Sequence, residues 1–127
     1  MERIIKLFFI LIITLCPLSS IANTTTAVPQ KAELSNCIKT FPVGYEKLFY
    51  LTLASVNEYD YVINEIQSKS GYIVFTANKH KYLATVVYVS SQKSMLRITS
   101  YDGKYNFTTD IPNKLFKYVE IYQETGF

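Results

Sequence analysis

The sequence predicts a small α+β domain in which a four-stranded antiparallel meander is flanked by an N-terminal and a C-terminal helix. Residues 60–107 contain runs of β-branched and aromatic residues that are separated by short polar turns. Parallel neighbours need a crossover of about a dozen residues, so these closely spaced strands must pair antiparallel. Apolar residues on either side of this region repeat at helical spacing. The predicted order is α-β-β-β-β-α, with both helices packed on one face of the sheet.

The N-terminal helix is predicted over residues 46–57, after the lead-in Pro42–Tyr45. Phe49, Leu53 and Val56 follow one another at steps of four and three residues, which is typical of an amphipathic helix. Charged residues are few along this segment. We therefore expect most of its circumference to be covered by the rest of the domain.

The first two strands are predicted at residues 61–67 and 72–77, joined by the hairpin loop Ser68–Gly71. The second strand is apolar at almost every position, so both of its faces are expected to be covered. A turn at residues 78–81 leads to a third strand at 82–89. Its side chains alternate between the two faces, because the side-chain period of a strand is two residues.

The fourth strand is predicted around residues 95–99, where apolar and polar side chains alternate. Asp102–Gly103 indicates a turn, and Tyr105–Phe107 could add a short fifth strand. The C-terminal helix is predicted from Asp110 to Tyr122. Asp110 can cap it and Pro112 suits its first turn, where the missing N–H costs nothing.

The N-terminal residues 1–22 have the pattern of a secretory signal peptide. A basic start precedes the apolar run Leu7–Cys16, and the small-residue segment Ser20–Ala22 follows it. This run is far shorter than the roughly 20 residues of a membrane-spanning helix. We expect cleavage near Ala22–Asn23 and a periplasmic or secreted protein; the alternative is a membrane anchor through an uncleaved signal. Residues 23–41 are then predicted to be a flexible leader, and residues 42–127 a single domain with no transmembrane span.

Charge and cysteine content exclude several classes of function. The whole chain has a net charge of +3, which is too weak to indicate nucleic-acid binding. Beyond the predicted signal, Cys37 is the only cysteine, so no disulfide can form within the mature chain. Cys37 is interpreted either as a small buried apolar residue or as a free thiol that could react or join another chain. One histidine, His80, and one thiol do not complete a zinc site, and no cofactor is predicted.

The tyrosines suggest where a partner could bind. The chain has 11 tyrosines and no tryptophan. Tyrosine suits partly solvated surfaces, because its ring is apolar and its hydroxyl forms hydrogen bonds. Tyr72, Tyr82 and Tyr88 on the second and third strands are candidate partner-binding aromatics. The alternative interpretation is that tyrosine is simply favoured on half-buried sheet surfaces.

These observations predict an exported, non-catalytic binding or assembly module of the bacterial envelope or extracellular space. Its partner is expected to be an unidentified protein or glycan. The alternative is a carrier or sensor of a small apolar ligand held between the helices and the sheet. Enzymatic activity is not predicted, because the paired carboxylates that glycoside hydrolysis requires are represented only by the surface residues Glu58, Asp60 and Glu65.

The order of elements resembles the small α+β domains of bacterial envelope proteins. The segments that carry the resemblance are Phe49–Val62, Gly71–Phe75 and Leu115–Tyr122. The pattern, over residues 42–122, is similar to the helix-grip domain of outer-membrane assembly lipoproteins of the BamC/NlpB type. The resemblance implies a fold and transfers no functional residue. The chain departs from that family in lacking its lipidated cysteine.

Overall fold

A computed structural model describes residues 30–124 of the chain. The predicted signal at 1–22, the leader up to residue 29 and the last three residues lie outside this range. The chain is α+β, with a five-stranded antiparallel sheet and two helices. A 3₁₀ turn at Leu34–Asn36 precedes these elements: β1 Ile38–Phe41, α1 Tyr45–Glu58, β2 Val62–Gln67, β3 Tyr72–Ala77, β4 His80–Ser90, β5 Lys93–Ser100 and α2 Asp110–Tyr122.

The strands lie in the order β1-β5-β4-β3-β2, and every neighbouring pair is antiparallel. Strands β2 to β5 form the predicted meander, but β1 adds a fifth strand within residues 23–41, which the sequence pattern had assigned to a leader. Ile38 pairs with Arg97 and Phe41 with Ser94. Strand β1 forms because β5 supplies partners for its backbone groups and because Phe41 is buried in the core.

The segment after β5 also differs from the prediction. The short strand predicted at Tyr105–Phe107 is not formed; instead, Thr108 makes an isolated antiparallel bridge with Lys31. The turn between β3 and β4 is shorter than the predicted 78–81. It consists of Asn78 and Lys79, with φ values of 51° and 66°, and this pair of positive φ values is typical of a two-residue hairpin turn.

The core lies between both helices and one face of the sheet. Alternate side chains of β3, β4 and β5 point into it, together with the apolar stripes of α1 and α2. Its fully buried members include Phe41, Leu48, Val56, Ile73, Phe75, Ala84, Leu96, Ile98, Ile111, Leu115 and Val119. Burial of such side chains contributes roughly 1.5–3 kcal/mol each. The large side chains of this one cluster therefore make a major contribution to the hydrophobic stabilisation of the domain.

A row of aromatic rings crosses one end of the core. The ring centroids of Tyr59 and Tyr61 are 5.7 Å apart, those of Tyr61 and Phe75 5.8 Å, and those of Phe75 and Tyr82 5.4 Å. Phe107 closes the row with its edge against Tyr82, at 5.1 Å. Each contact is within the 4.5–7 Å range of favourable aromatic pairs. The row fixes the end of α1 and the segment after β5 against the sheet.

Neither α1 nor α2 combines the length and the apolar content that a helix needs to cross a membrane; this holds for residues 30–124. The longer helix, α1, has 14 residues. A bilayer core requires about 20 residues of helix.

Candidate functional site

The face of the sheet that points away from both described helices is the candidate binding surface, and we call it the outer face. Its residues follow from the strand register, since directly paired residues point to the same side. Tyr72 pairs with Thr85, which pairs with Arg97, and these three form one row. The neighbouring row is Val74, Leu83 and Thr99.

A depression of about 400 Å³, which we call the outer groove, lies on this face. Its floor contains the cross-strand pair Val74 and Leu83. Val74 is only 3% exposed, although no described helix covers it, because neighbouring side chains stand around it. The remaining lining residues are Glu65, Tyr72, Thr85 and Tyr101. The groove thus has an aliphatic floor, two tyrosines, one carboxylate and one threonine hydroxyl.

The Tyr72 side chain is held in place by Glu65 on the adjacent strand. Its phenolic Oη donates a hydrogen bond to Glu65 Oε2 at 2.5 Å. This hydrogen bond raises the pKa of Tyr72, and desolvation and the negative charge of Glu65 raise it further. Tyr72 therefore stays neutral around pH 7 and keeps donating to Glu65. The phenol ring stands beside the floor in a defined orientation.

Tyr101 follows the last residue of β5, and backbone contacts position it. Its N–H donates to the carbonyl oxygen of Lys81 at 2.9 Å, and the N–H of Ser100 donates to the carbonyl oxygen of Lys104 at 2.9 Å. The Lys81 Nζ lies 5.0 Å from the Tyr101 ring centroid, within range of a cation–π contact. The sequence reasoning missed Tyr101 because Asp102–Gly103 marked it only as part of a turn. An aromatic residue beside such a turn was the available signal.

Arg97 places a second positive charge on the outer face, next to Thr85. Its Nε atom is buried and has no hydrogen-bond partner within residues 30–124. Burying a hydrogen-bond donor without a partner costs free energy of folding. Together with Lys81, Arg97 gives the side of the groove opposite Glu65 a positive character.

The three tyrosines singled out from the sequence do not share one surface. Tyr72 lies in the outer groove. Tyr82 is 4% exposed and stacks in the aromatic row on the helix side of the sheet. Tyr88 is 63% exposed near the end of β4, where it pairs with Ser94. Of the three, Tyr72 alone lines the groove, and Tyr82 has a packing role.

Cys37 is fully buried and unpaired in the structure. Its Sγ donates to Asn36 Oδ1 at 3.3 Å, and its carbonyl oxygen accepts the N–H of Ile98 at 2.8 Å. Burial raises the pKa of the Cys37 thiol, which disfavours the reactive thiolate. The placement is that of a small core residue at the start of β1.

A serine and the only histidine of the chain meet at the end of β5. His80 Nε2 lies 2.7 Å from Ser100 Oγ, and Ser100 Oγ donates to Asn106 Oδ1. Because a hydroxyl has one proton, His80 must then carry its proton on Nε2 and donate to Ser100. A general base needs the opposite arrangement, in which the histidine nitrogen accepts the serine proton. This chain of hydrogen bonds therefore fastens the loop after β5 to β4.

Within the described range 30–124, no three His, Cys, Asp or Glu side chains are grouped so that they could hold a metal ion. Glu65, the carboxylate of the outer groove, has a tyrosine hydroxyl as its hydrogen-bond donor. The chemistry that the groove offers is therefore hydrogen bonding, aromatic stacking and apolar contact.

Comparison of the chain with protein-family models gives no match, and comparison with curated proteins gives no significant relative. The resemblance to helix-grip domains of envelope lipoproteins therefore stays a prediction from the sequence pattern. Any function has to be argued from the geometry of the outer face itself.

Proposed function

We propose that this chain is an exported, non-catalytic binding or assembly module, and that the outer groove is its binding site. The observation that carries the proposal is the groove of about 400 Å³ on the outer face. It combines an apolar floor with a few converging polar groups, which is the usual composition of a ligand site. The signal pattern of residues 1–22 supports export.

The positioning of the groove residues supports a binding role further. The Tyr72 side chain is fixed by its hydrogen bond to Glu65. The backbone of Tyr101 is fixed by its hydrogen bond to Lys81, and its ring contacts the Lys81 Nζ at 5.0 Å from the ring centroid. Side chains that are ordered before binding lose little conformational entropy when a partner arrives. Tyrosine also adds a large contact area and a hydroxyl to a single rigid ring. The outer groove therefore has the properties of a pre-organised recognition surface for a protein or a glycan.

The core offers no support for the alternative hypothesis of an apolar ligand between the helices and the sheet. Phe75, Ile98 and Leu115 are fully buried there and belong to one packed cluster. A ligand in that space would have to displace such side chains, and replacing packed core contacts is costly. We therefore retain the outer groove as the candidate site.

Site-specific photo-crosslinking in the native host tests the proposal. A photoreactive residue at Leu83, in the groove floor, should give one discrete adduct in the exported fraction. The same residue at Lys117, which is exposed on α2, should not give that adduct. Adding Tyr101→Ala to the Leu83 variant should reduce the adduct, whereas Tyr50→Ala on α1 should leave it unchanged. Equal adducts from both positions, or none from Leu83, would contradict the proposal.

A further inference from the structure

The accessible lining of the outer groove is amphipathic rather than apolar. Its aliphatic floor is nearly closed, since Val74 is almost completely buried. What a ligand meets first is the exposed ring of Tyr101, the half-buried ring of Tyr72 and the exposed carboxylate of Glu65. The Thr85 hydroxyl lies across from Tyr72 in the strand register. Such a lining offers a ligand both flat aromatic rings and neighbouring hydrogen-bonding groups.

The charges around the groove have opposite signs. Glu65 provides a negative acceptor on β2, and Lys81 provides a positive donor beside Tyr101. Arg97, paired with Thr85, adds a second positive charge on the same side as Lys81. A strongly cationic ligand would be repelled by Lys81 and Arg97, and a strongly anionic one would meet the Glu65 carboxylate beside Tyr72. A neutral ligand that carries both donors and acceptors complements the two groups together.

We propose that the outer groove binds a neutral hexopyranose unit of a glycan. This inference rests on the proposed function and specifies its ligand class. One face of a pyranose ring presents C–H groups, which carry a partial positive charge and pack against the negative face of a tyrosine ring. Its hydroxyls can donate to the Glu65 carboxylate and accept from Lys81. The groove volume of about 400 Å³ is in the lower part of the usual ~300–1,000 Å³ range for ligand pockets, so it suits a short stretch of glycan.

An apolar side chain of a partner protein fits the same groove less well. It would cover the Glu65 carboxylate without replacing the water that solvates it, and burying a charge in this way costs free energy. A sugar hydroxyl replaces that water with a hydrogen bond. Binding hot spots in protein interfaces also lie in well-packed, fully desolvated pockets, whereas the floor of this groove is surrounded by polar groups.

Nuclear magnetic resonance titration of the ¹⁵N-labelled mature chain tests the inference. The probes are cellobiose, lactose and N,N′-diacetylchitobiose. They differ in the configuration at C4 of the pyranose ring and in the substituent at C2. We expect at least one probe to shift the amide signals of Val74, Leu83 and Thr85 saturably. Dissociation constants should lie in the millimolar range, which corresponds to about −4 kcal/mol for 1 mM.

Two variants test whether the shifts of the amide signals report binding in the outer groove. Tyr101→Ala removes an exposed ring and should weaken binding at least about tenfold. Tyr72→Phe keeps the ring but removes the hydroxyl that holds Glu65, so it should weaken binding to a smaller extent. Tyr50→Ala on α1 removes a comparably exposed tyrosine away from the groove and should leave the affinity unchanged.

Either of two results would overturn the glycan inference: no saturable shift with any of the three probes, or the same affinity in the wild-type chain and Tyr101→Ala. If the Leu83 crosslinker captures a protein while no disaccharide binds, the glycan inference fails and the binding module stands. If both experiments are negative, the groove is not a binding site and both proposals fail together.

Discussion

Replacing Gly71 with alanine tests why the hairpin between β2 and β3 requires glycine at this position. Gly71 has a φ of 75°, a left-handed conformation that glycine adopts without penalty. A Cβ atom added there would lie 2.0 Å from the Tyr45 Oη and 2.7 Å from its Cζ. Tyr45, at the start of α1, packs partly buried against the core. The added methyl therefore strains the backbone and also displaces this side chain.

The two effects can be given separate magnitudes. The left-handed conformation costs a residue with a Cβ about 1–2 kcal/mol. The clash is with the outer end of the Tyr45 side chain, which is only partly buried and can move, so its cost should be near the lower end of the ~1–3 kcal/mol of core overpacking. Gly71→Ala should therefore lower the free energy of unfolding by roughly 2–3 kcal/mol. Each kcal/mol lowers the melting temperature of a domain of this size by about 4–8 °C.

Urea denaturation of the purified mature chain measures this cost, and Gly103 provides a matched control. Gly103 has a φ of 83°, and no atom lies within 4 Å of its added Cβ. Gly103→Ala should therefore show the backbone cost alone. In a Tyr45→Ala background, where the clash is gone, Gly71→Ala should cost no more than Gly103→Ala. Equal losses for the two single glycine variants would refute the steric part of the reasoning.

Three further predictions concern single side chains. Burial, with a smaller contribution from Asp110 and Tyr61, raises the pKa of Tyr82 to about 12, above the unfolded value near 10. Folding thus favours the protonated phenol, so the contribution of Tyr82 to stability should be constant up to about pH 10 and be lost as the pH approaches about 12. Urea unfolding at stepped pH should show a smaller loss of stability between about pH 10 and about pH 12 in Tyr82→Phe. Ser100→Ala removes its hydrogen bonds to His80 and Asn106, which are partly or fully exposed and can bind water instead, so it should cost only about 0.5–1.5 kcal/mol by the same assay. Native Cys37 should react with a thiol reagent far more slowly than in denaturant, and equal rates would contradict its burial.

The strands and helices with local periodicity were predictable from the sequence. Strand β3 occupies Tyr72–Ala77 as predicted, and α1 and α2 differ from their predicted limits by at most one residue at each end. In these segments the local pattern of apolar and polar residues in the sequence indicates which side chains are buried. Alternation in β4 also placed Tyr82 and Val86 on one face, where both are buried.

The features that depend on distant pairing were not predictable. Strand β1 has two exposed residues between a half-buried Ile38 and a buried Phe41, so its sequence shows no period, and its existence depends on β5. The outer groove needs the register of β3 with β4, which decides that Tyr72 and Tyr82 lie on opposite faces. Tyr101 joins the groove because the pairing of β5 with β4 places it beside Lys81.

The pairing of the two ends of the described domain has a consequence for the order of folding. Gln30 N–H donates to Thr109 Oγ1 across 79 residues, and Thr109 N–H donates back to the Gln30 carbonyl oxygen. The hairpins β2–β5 can form from local contacts, whereas this closure must bring distant segments together at a larger entropic cost. Residues 30–41 thus lack their partners until residues 94–109 are also present. We therefore expect the docking of this N-terminal segment onto β5 and the residues that follow it to be the last step in the folding of the described domain.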